Sequence, residues 1–214
     1  GGHCAQDWED FVHGINPQAD PDLYVQPIAD EHKIFGCDLW IEVSGVSTST
    51  DRIGCLGKAD VMLTLDRSGS IDSGELATLK NAAKAFVGAL GMSAGTSHAG
   101  MVSFSSSATL DVHLTDASST VATAIDGLVA TGTTNLEQAI EDATAELANP
   151  GDGHDRADGE SPDFMVIITD GAPNTCTPAC DPSAADDVAK AAADAAKAAG
   201  ITIYVVGVGT TAET

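Results

Sequence analysis

Basic residues are scarce in this chain. Nine Lys and Arg stand against 32 Asp and Glu in 214 residues, a formal net charge of −23. Such a surface repels phosphate backbones and anionic lipid, which excludes nucleic acid and anionic membrane as main partners. It fits a chain solvated in salt water, or one that collects cations. Aromatic residues are few, at 4%. No apolar run approaches the ~20 residues of a membrane-spanning helix. The five cysteines, Cys4, Cys37, Cys55, Cys176 and Cys180, form no C-x-x-C pair, which argues against a zinc ribbon. There is no G-x-S-x-G, and no motif places a hydroxyl nucleophile for His98 or His113, so no hydrolase triad and no enzymatic activity are expected. The start, Gly1-Gly2-His3-Cys4, has no initiator Met and no signal peptide, and reads as a processed form or an excerpt.

What is present is a sufficient core. Hydrophobic residues make up 43% and charged residues 19%, the proportions of an ordinary globular chain. The length suits one α/β domain with a smaller appendage. Cys176 and Cys180 bracket a short loop that a disulfide can close, which would place the protein outside the cytoplasm. Five reduced thiols are the alternative.

Residues 1–57 form the expected appendage, an irregular or β-rich N-terminal segment. Ala5 to Val12 reads as a short helix with Trp8, Phe11 and Val12 on one face, and Leu39 to Val43 as a strand. Pro17, Pro21 and Pro27 interrupt regular structure. From Lys58 the pattern is regular, and residues 58–214 read as the main domain. Val61 to Leu65 is an apolar strand. Asp72 and Glu75 form a capping box before a helix carrying Leu76, Leu79, Ala83, Phe86, Val87 and Leu90, which Gly91 stops. Ala99 to Phe104 is a second strand. Ser105 to Ser107 turn the chain into a polar-alternating edge strand over Leu110 to Leu114. Ser118 to Leu128 is a short helix, and Asn135 caps another through Leu147. Phe164 to Ile168 is a near-continuous apolar run, as in a parallel strand buried on both faces. Asp181 and Pro182 start an Ala-rich helix that Gly200 stops, and Ile201 to Val206 is the last strand. This order predicts a doubly wound α/β fold: a mostly parallel sheet with one antiparallel edge strand and helices on both faces. The strands at Val61 and Phe164 then flank the topological switch point, where such sheets bind ligands.

Both of those strands end in a carboxylate. Asp66, Ser68 and Ser70 follow one, Asp170 ends the other, and Thr134 can come from the neighbouring loop. All are oxygen donors, which suits a hard ion: Mg²⁺ first, with Mn²⁺ or Ca²⁺ as alternatives. Few of them are charged, so a bound ion keeps positive character and open positions. Arg67, between the ligands, reads as a surface side chain. Asp152, His154, Asp155, Asp158 and Glu160 lack the ordered spacing of a calcium loop and read as a solvated acidic loop.

Four blocks carry a resemblance: Asp66-Arg67-Ser68-Gly69-Ser70, Thr131-Gly132-Thr133-Thr134-Asn135, Ile168-Thr169-Asp170-Gly171 and Val206-Gly207-Val208-Gly209. In order and on the expected elements, over about residues 58–210, they resemble the von Willebrand factor type A domain, which is also the inserted domain of integrins. The resemblance implies a metal-ion-dependent adhesion site with ligands Asp66, Ser68, Ser70, Thr134 and Asp170, where a protein partner's carboxylate completes the ion's shell. Members of the family carry a further strand and helix beyond the position of Thr214. On that basis the native protein is expected to be longer, with Ile201 to Val206 as an exposed edge. The expected function is an extracellular or cell-surface adhesion module, at the tip of a pilus or similar appendage. The alternatives are a structural filament, sheath or capsid subunit, and an intracellular metal-dependent assembly subunit working with an ATPase.

Overall fold

The computed structural model describes residues 23–27, 58–149, 151 and 153–208. The helix expected at Ala5 to Val12 and the strand expected at Leu39 to Val43 lie outside the described residues.

The core of the fold is a six-stranded sheet. Its strands are β1 (Leu23–Pro27), β2 (Asp60–Asp66), β3 (His98–Phe104), β4 (Ala108–Thr115), β5 (Asp163–Thr169) and β6 (Thr202–Val208), in the order β1-β6-β5-β2-β3-β4. Strand β2 runs parallel to both β3 and β5, and β5 runs parallel to β6. The hairpin strand β4 is antiparallel at one edge.

The other edge departs from expectation. Strand β6 is covered by β1, which pairs with it antiparallel from Leu23 opposite Val208 to Pro27 opposite Tyr204. Pro27 closes an edge strand, a position where a missing N–H costs no ladder bond. The prolines around this segment hide it as a strand.

Helices α1 (Ser73–Ala89), α2 (Ser118–Asp126), α3 (Leu136–Leu147) and α4 (Ala185–Ala198) cover the two faces. The period-two alternation of the strands divides the core between them. Val61, Leu63 and Leu65 of β2 pack with Leu79, Phe86 and Val87 of α1 and with Val121 and Ile125 of α2. Met62 of the same strand joins Ile140 and Leu147 of α3 and Ala196 of α4 on the opposite face. Each of the fully buried side chains among these contributes about 1.5–3 kcal/mol of transfer free energy. The capping box at α1 forms as its sequence predicts: the Asp72 carboxylate accepts from the Gly74 and Glu75 amides, and Glu75 reaches back to the Asp72 amide. Asp181 caps a short 3₁₀ turn, Pro182–Ala184, ahead of α4 rather than α4 itself. Gly91 and Gly200 end their helices at positive φ, +59° and +96°.

Candidate metal centre

The carboxyl ends of β2 and β5 lie side by side, because Leu65 pairs with Ile168. The chain turns sharply after β2. The Arg67 amide donates to Phe104 O of the neighbouring strand, and the Ser68 amide turns back to Asp66 Oδ1 at 2.8 Å. That turn sets the two serine hydroxyls beside each other, 2.9 Å apart. Ser70 Oγ in turn donates to Asp170 Oδ1 at 3.1 Å, across from the end of β5. A continuous run of hydrogen bonds, through the Ser68 amide and the two serine hydroxyls, thus joins Asp66, Ser68, Ser70 and Asp170, although Asp170 is 100 residues away from Ser70 in sequence.

The loop that carries Thr134 is fastened to the same turn. Gly69 N donates to Gly132 O at 2.9 Å, and Thr131 N to Arg67 O at 2.8 Å. The approach is close: a Cβ on Gly69 would sit 3.1 Å from Gly132 O. Gly132 has φ +84°, and a Cβ there would meet Ser106 Oγ at 2.5 Å. Ser106 Oγ instead accepts from the Thr133 amide at 3.0 Å. Asn174 holds Thr134 from the β5 side: its Oδ1 accepts from Thr134 N at 2.9 Å, and its own amide donates to Thr134 O at 3.0 Å. Thr134 is buried. The next residue, Asn135, caps α3 and donates from Nδ2 to Thr177 Oγ1 at 2.8 Å. Thr177 lies in the small loop closed by the Cys176–Cys180 disulfide.

Four residues, Thr169, Asn174, Ser105 and Arg67, take part to which the sequence assigned no place in the site. Thr169 Oγ1 donates to Asp66 Oδ2 at 2.6 Å, so each oxygen of the buried Asp66 carboxylate accepts a hydrogen bond. The signal was its place beside Asp170, but strand-end threonines are common enough that position alone gives no role. Asn174 carried no signal beyond being polar in a loop. Ser105 and Arg67 form the third element. Arg67 is half-buried and donates from Nε to Ser103 Oγ and from Nη1 to Ser105 Oγ, at 3.1 and 3.0 Å. It is therefore a strut between the site turn and the end of β3, not the surface side chain expected, and its charge is turned to the two serines.

Asp66 is fully buried. Burial pushes its carboxyl above the usual carboxylate range. The Thr169 and Ser68 hydrogen bonds pull it back, and the neighbouring Asp170 carboxylate pushes it further up. A buried acid beside a second acid, with hydroxyls as the intervening groups, is a donor set for a hard cation and not for a soft one. The residues therefore fit a divalent metal.

A separate group of buried acids occupies the opposite ends of the same strands. Asp60, Asp155 and Asp163 can offer carboxylate oxygens that all lie within 4.8 Å of one another. Asp155 comes from the acidic loop expected to be solvated, and it is buried at 7% exposure. Asp158 and Glu160 of that loop are exposed, as expected. Among the described residues no helix is long and apolar enough to cross a membrane.

A doubly wound sheet with an oxygen cluster at its switch point defines a class of ligand-binding α/β domains. The comparison with family models is specific: residues 60–214 match the von Willebrand factor type A domain. The chain belongs to that family, whose members are generally adhesion modules rather than enzymes. Among solved structures, manganese-loaded TRAP of Plasmodium vivax is 19% identical with a TM-score of 0.58, over 73% of this chain and 59% of that one. Proximal thread matrix protein 1 of the mussel byssus, with a zinc-occupied MIDAS motif, is 21% identical with a TM-score of 0.54, over 72% and 36%. The von Willebrand domain of the type V pili tip protein Mfa5 from Porphyromonas gingivalis is 16% identical with a TM-score of 0.50, over 56% and 40%. The chain thus covers less than two thirds of each of these proteins. At these identities the likeness is one of fold. A search of curated proteins finds no match.

Proposed function

We propose that residues 58–214 form an extracellular adhesion module that binds a protein partner through a divalent cation. Asp66, Ser68, Ser70, Thr134 and Asp170 hold the ion, with Mg²⁺ favoured over Mn²⁺ and Ca²⁺, and a carboxylate of the partner takes one of its open positions. The observation that carries this reading is the run of hydrogen bonds from Asp66 through the Ser68 amide and the Ser68 and Ser70 hydroxyls to Asp170. The only basic side chain in that turn, Arg67, is engaged with Ser103 and Ser105. A partner's lysine or arginine gains nothing from a bound cation, whereas a carboxylate does. The Cys176–Cys180 disulfide favours an oxidising, extracellular setting over an intracellular assembly role. The pilus-tip placement draws on the likeness to the Mfa5 tip protein.

The test is calorimetric titration of the EDTA-treated chain with Mg²⁺, for wild type and Asp66→Ala. Wild type takes up the ion and Asp66→Ala does not. Acidic peptides then bind the wild-type chain in Mg²⁺ and are released by EDTA. Equal metal uptake by the two proteins sinks the reading.

A further inference from the structure

The sheet carries a second concentration of acids at the pole away from Asp66, and its geometry comes from strand pairing. Asp60 opens β2 and Asp163 opens β5, and the two residues are paired in the parallel register. Their side chains therefore stand next to each other on neighbouring strands ~4.8 Å apart. The loop between α3 and β5 then folds Asp155 in over them. All three are buried, at 0%, 7% and 5% exposure for Asp60, Asp155 and Asp163.

Arg156 answers part of this charge. Its Nε and Nη2 reach Asp60 Oδ1 at 2.9 and 2.7 Å, and its amide donates to Asp60 Oδ2 at 3.1 Å. Nη1 and Nη2 also donate to the Thr96 and Ala59 carbonyls. One guanidinium thus faces three carboxylates, with Asp60 as its ion-pair partner. Asp163 Oδ1 is buried without a hydrogen-bond partner, and so is Ser161 Oγ two residues earlier, on a residue that is 0% exposed. An ionised carboxylate oxygen in that condition is costly unless a cation meets it. Without one, burial and the carboxylates of Asp155, Asp158 and Asp60 push Asp163 up to about 8.

We propose that Asp60, Asp155 and Asp163 bind a calcium ion at the amino-terminal ends of β2 and β5, which locks the acidic loop onto the sheet. Calcium suits the site better than magnesium. Its bonds to oxygen run to about 2.3–2.6 Å, so ligands on opposite sides of one ion stand up to about 5 Å apart. The 4.8 Å limit on the three ligand atoms falls inside that span. An irregular loop also supplies the flexible, carboxylate-rich shell that calcium accepts, whereas magnesium requires a tight octahedron and retains its waters. The ion meets the otherwise unpartnered Asp163 oxygen. The inference does not rest on the Asp66 site, which lies at the other end of the strands.

Thermal unfolding of the EDTA-treated chain, with and without Ca²⁺, tests it. At ~100-fold excess over Kd, binding to the folded state raises Tm by about 5–10 °C for a chain of this size. Wild type and Asp66→Ala both show the rise. Combined with Asp66→Ala, which removes the other site for calcium, Asp155→Asn and Asp163→Asn lose it, and the metal-free Tm of each single variant is no lower than wild type, since an amide relieves like-charge repulsion. A calcium-dependent rise retained in the Asp66→Ala, Asp163→Asn double variant, or absent from Asp66→Ala, overturns the proposal. Hydrogen exchange on Asp66→Ala, with the lower pole intact, gives an independent reading. Calcium slows amide exchange across residues 153–162, and unchanged exchange there likewise overturns it.

Discussion

Replacing Thr169 with valine removes one hydroxyl, which also bonds the carbonyl and the amide of Gly171. That hydroxyl donates at 2.6 Å to Asp66 Oδ2, while Asp66 Oδ1 is already served by the Ser68 amide. Asp66 is fully buried, so water cannot replace the lost donor. A hydrogen bond to a charged group contributes about 1.5–3 kcal/mol. Independently, loss of an outer partner of a metal-ligating carboxylate typically costs about 10–100-fold in metal affinity. At about 1.4 kcal/mol per decade that range is about 1.4–2.8 kcal/mol. The two routes agree, and both predict that Thr169→Val weakens Mg²⁺ binding by about 10–100-fold at neutral pH. The sign follows from Asp66 itself. Burial already pushes its carboxyl up, and the Thr169 bond is the largest influence pulling it down. Without that bond the proton competes better with the metal, so the loss of affinity grows as pH falls. Calorimetric Mg²⁺ titration of wild type, Thr169→Val and Thr169→Ser, repeated at two pH values, measures this. Thr169→Ser keeps the hydroxyl and stays near wild type. Thr169→Val within about threefold of wild type, or Thr169→Ser as weak as Thr169→Val, would refute the reasoning.

Other outcomes follow from the loops and from the lower pole. Gly132→Ala combines a positive φ, about 1–2 kcal/mol for an L residue, with displacement of the Ser106 hydroxyl that the Thr133 amide uses, about 0.5–1.5 kcal/mol. Urea unfolding should show a loss of roughly 2–3 kcal/mol, and a loss below about 1 kcal/mol would mean the loop adapts freely. In EDTA, the raised Asp163 carboxyl makes the folded chain bind its proton more tightly than the unfolded chain, whose value is ~3.9. Its stabilising contribution is complete below about pH 4 and is lost as pH rises through about 8. The difference in Tm between wild type and Asp163→Asn should therefore move against wild type from pH 5 to pH 9, and the opposite trend would contradict the assignment.

The reach of the sequence can be judged residue by residue. The turn from Asp66 to Ser70 stood out only together with Thr134 and Asp170, because Asp and Ser are favoured in turns and caps anyway. The sheet order around it was legible because β5 is apolar on both faces, which only a central strand tolerates. Strand β1 was not, since Pro21 and Pro27 mask a five-residue edge whose pairing is set entirely by β6. Asp155 was misjudged for a related reason. Its glycine- and acid-rich neighbours read as solvated, and nothing local shows that Asp60 and Asp163, about 95 and 8 residues away, open adjacent strands beneath it. Thr169, Asn174 and Arg67 belong to the same class: their roles come from tertiary contacts and leave no trace in spacing.

The two acidic poles share the strands that separate them. Asp60 and Asp66 open and close β2, six residues apart, which at ~3.3 Å per residue puts the poles roughly 20 Å apart. At an effective dielectric constant near 20, unit charges at that distance interact by roughly 0.8 kcal/mol. A cation seated at one end of the sheet therefore discourages a cation at the other, and linkage makes the penalty mutual. In dilute buffer, where the screening length is ~30 Å, filling one pole reports on the other. In concentrated salt, at ~3 Å, that conversation is cut off outside the protein and survives only through its interior. Were both poles to hold ions, the ionic strength of the surroundings would set whether the chain read two cation concentrations or one.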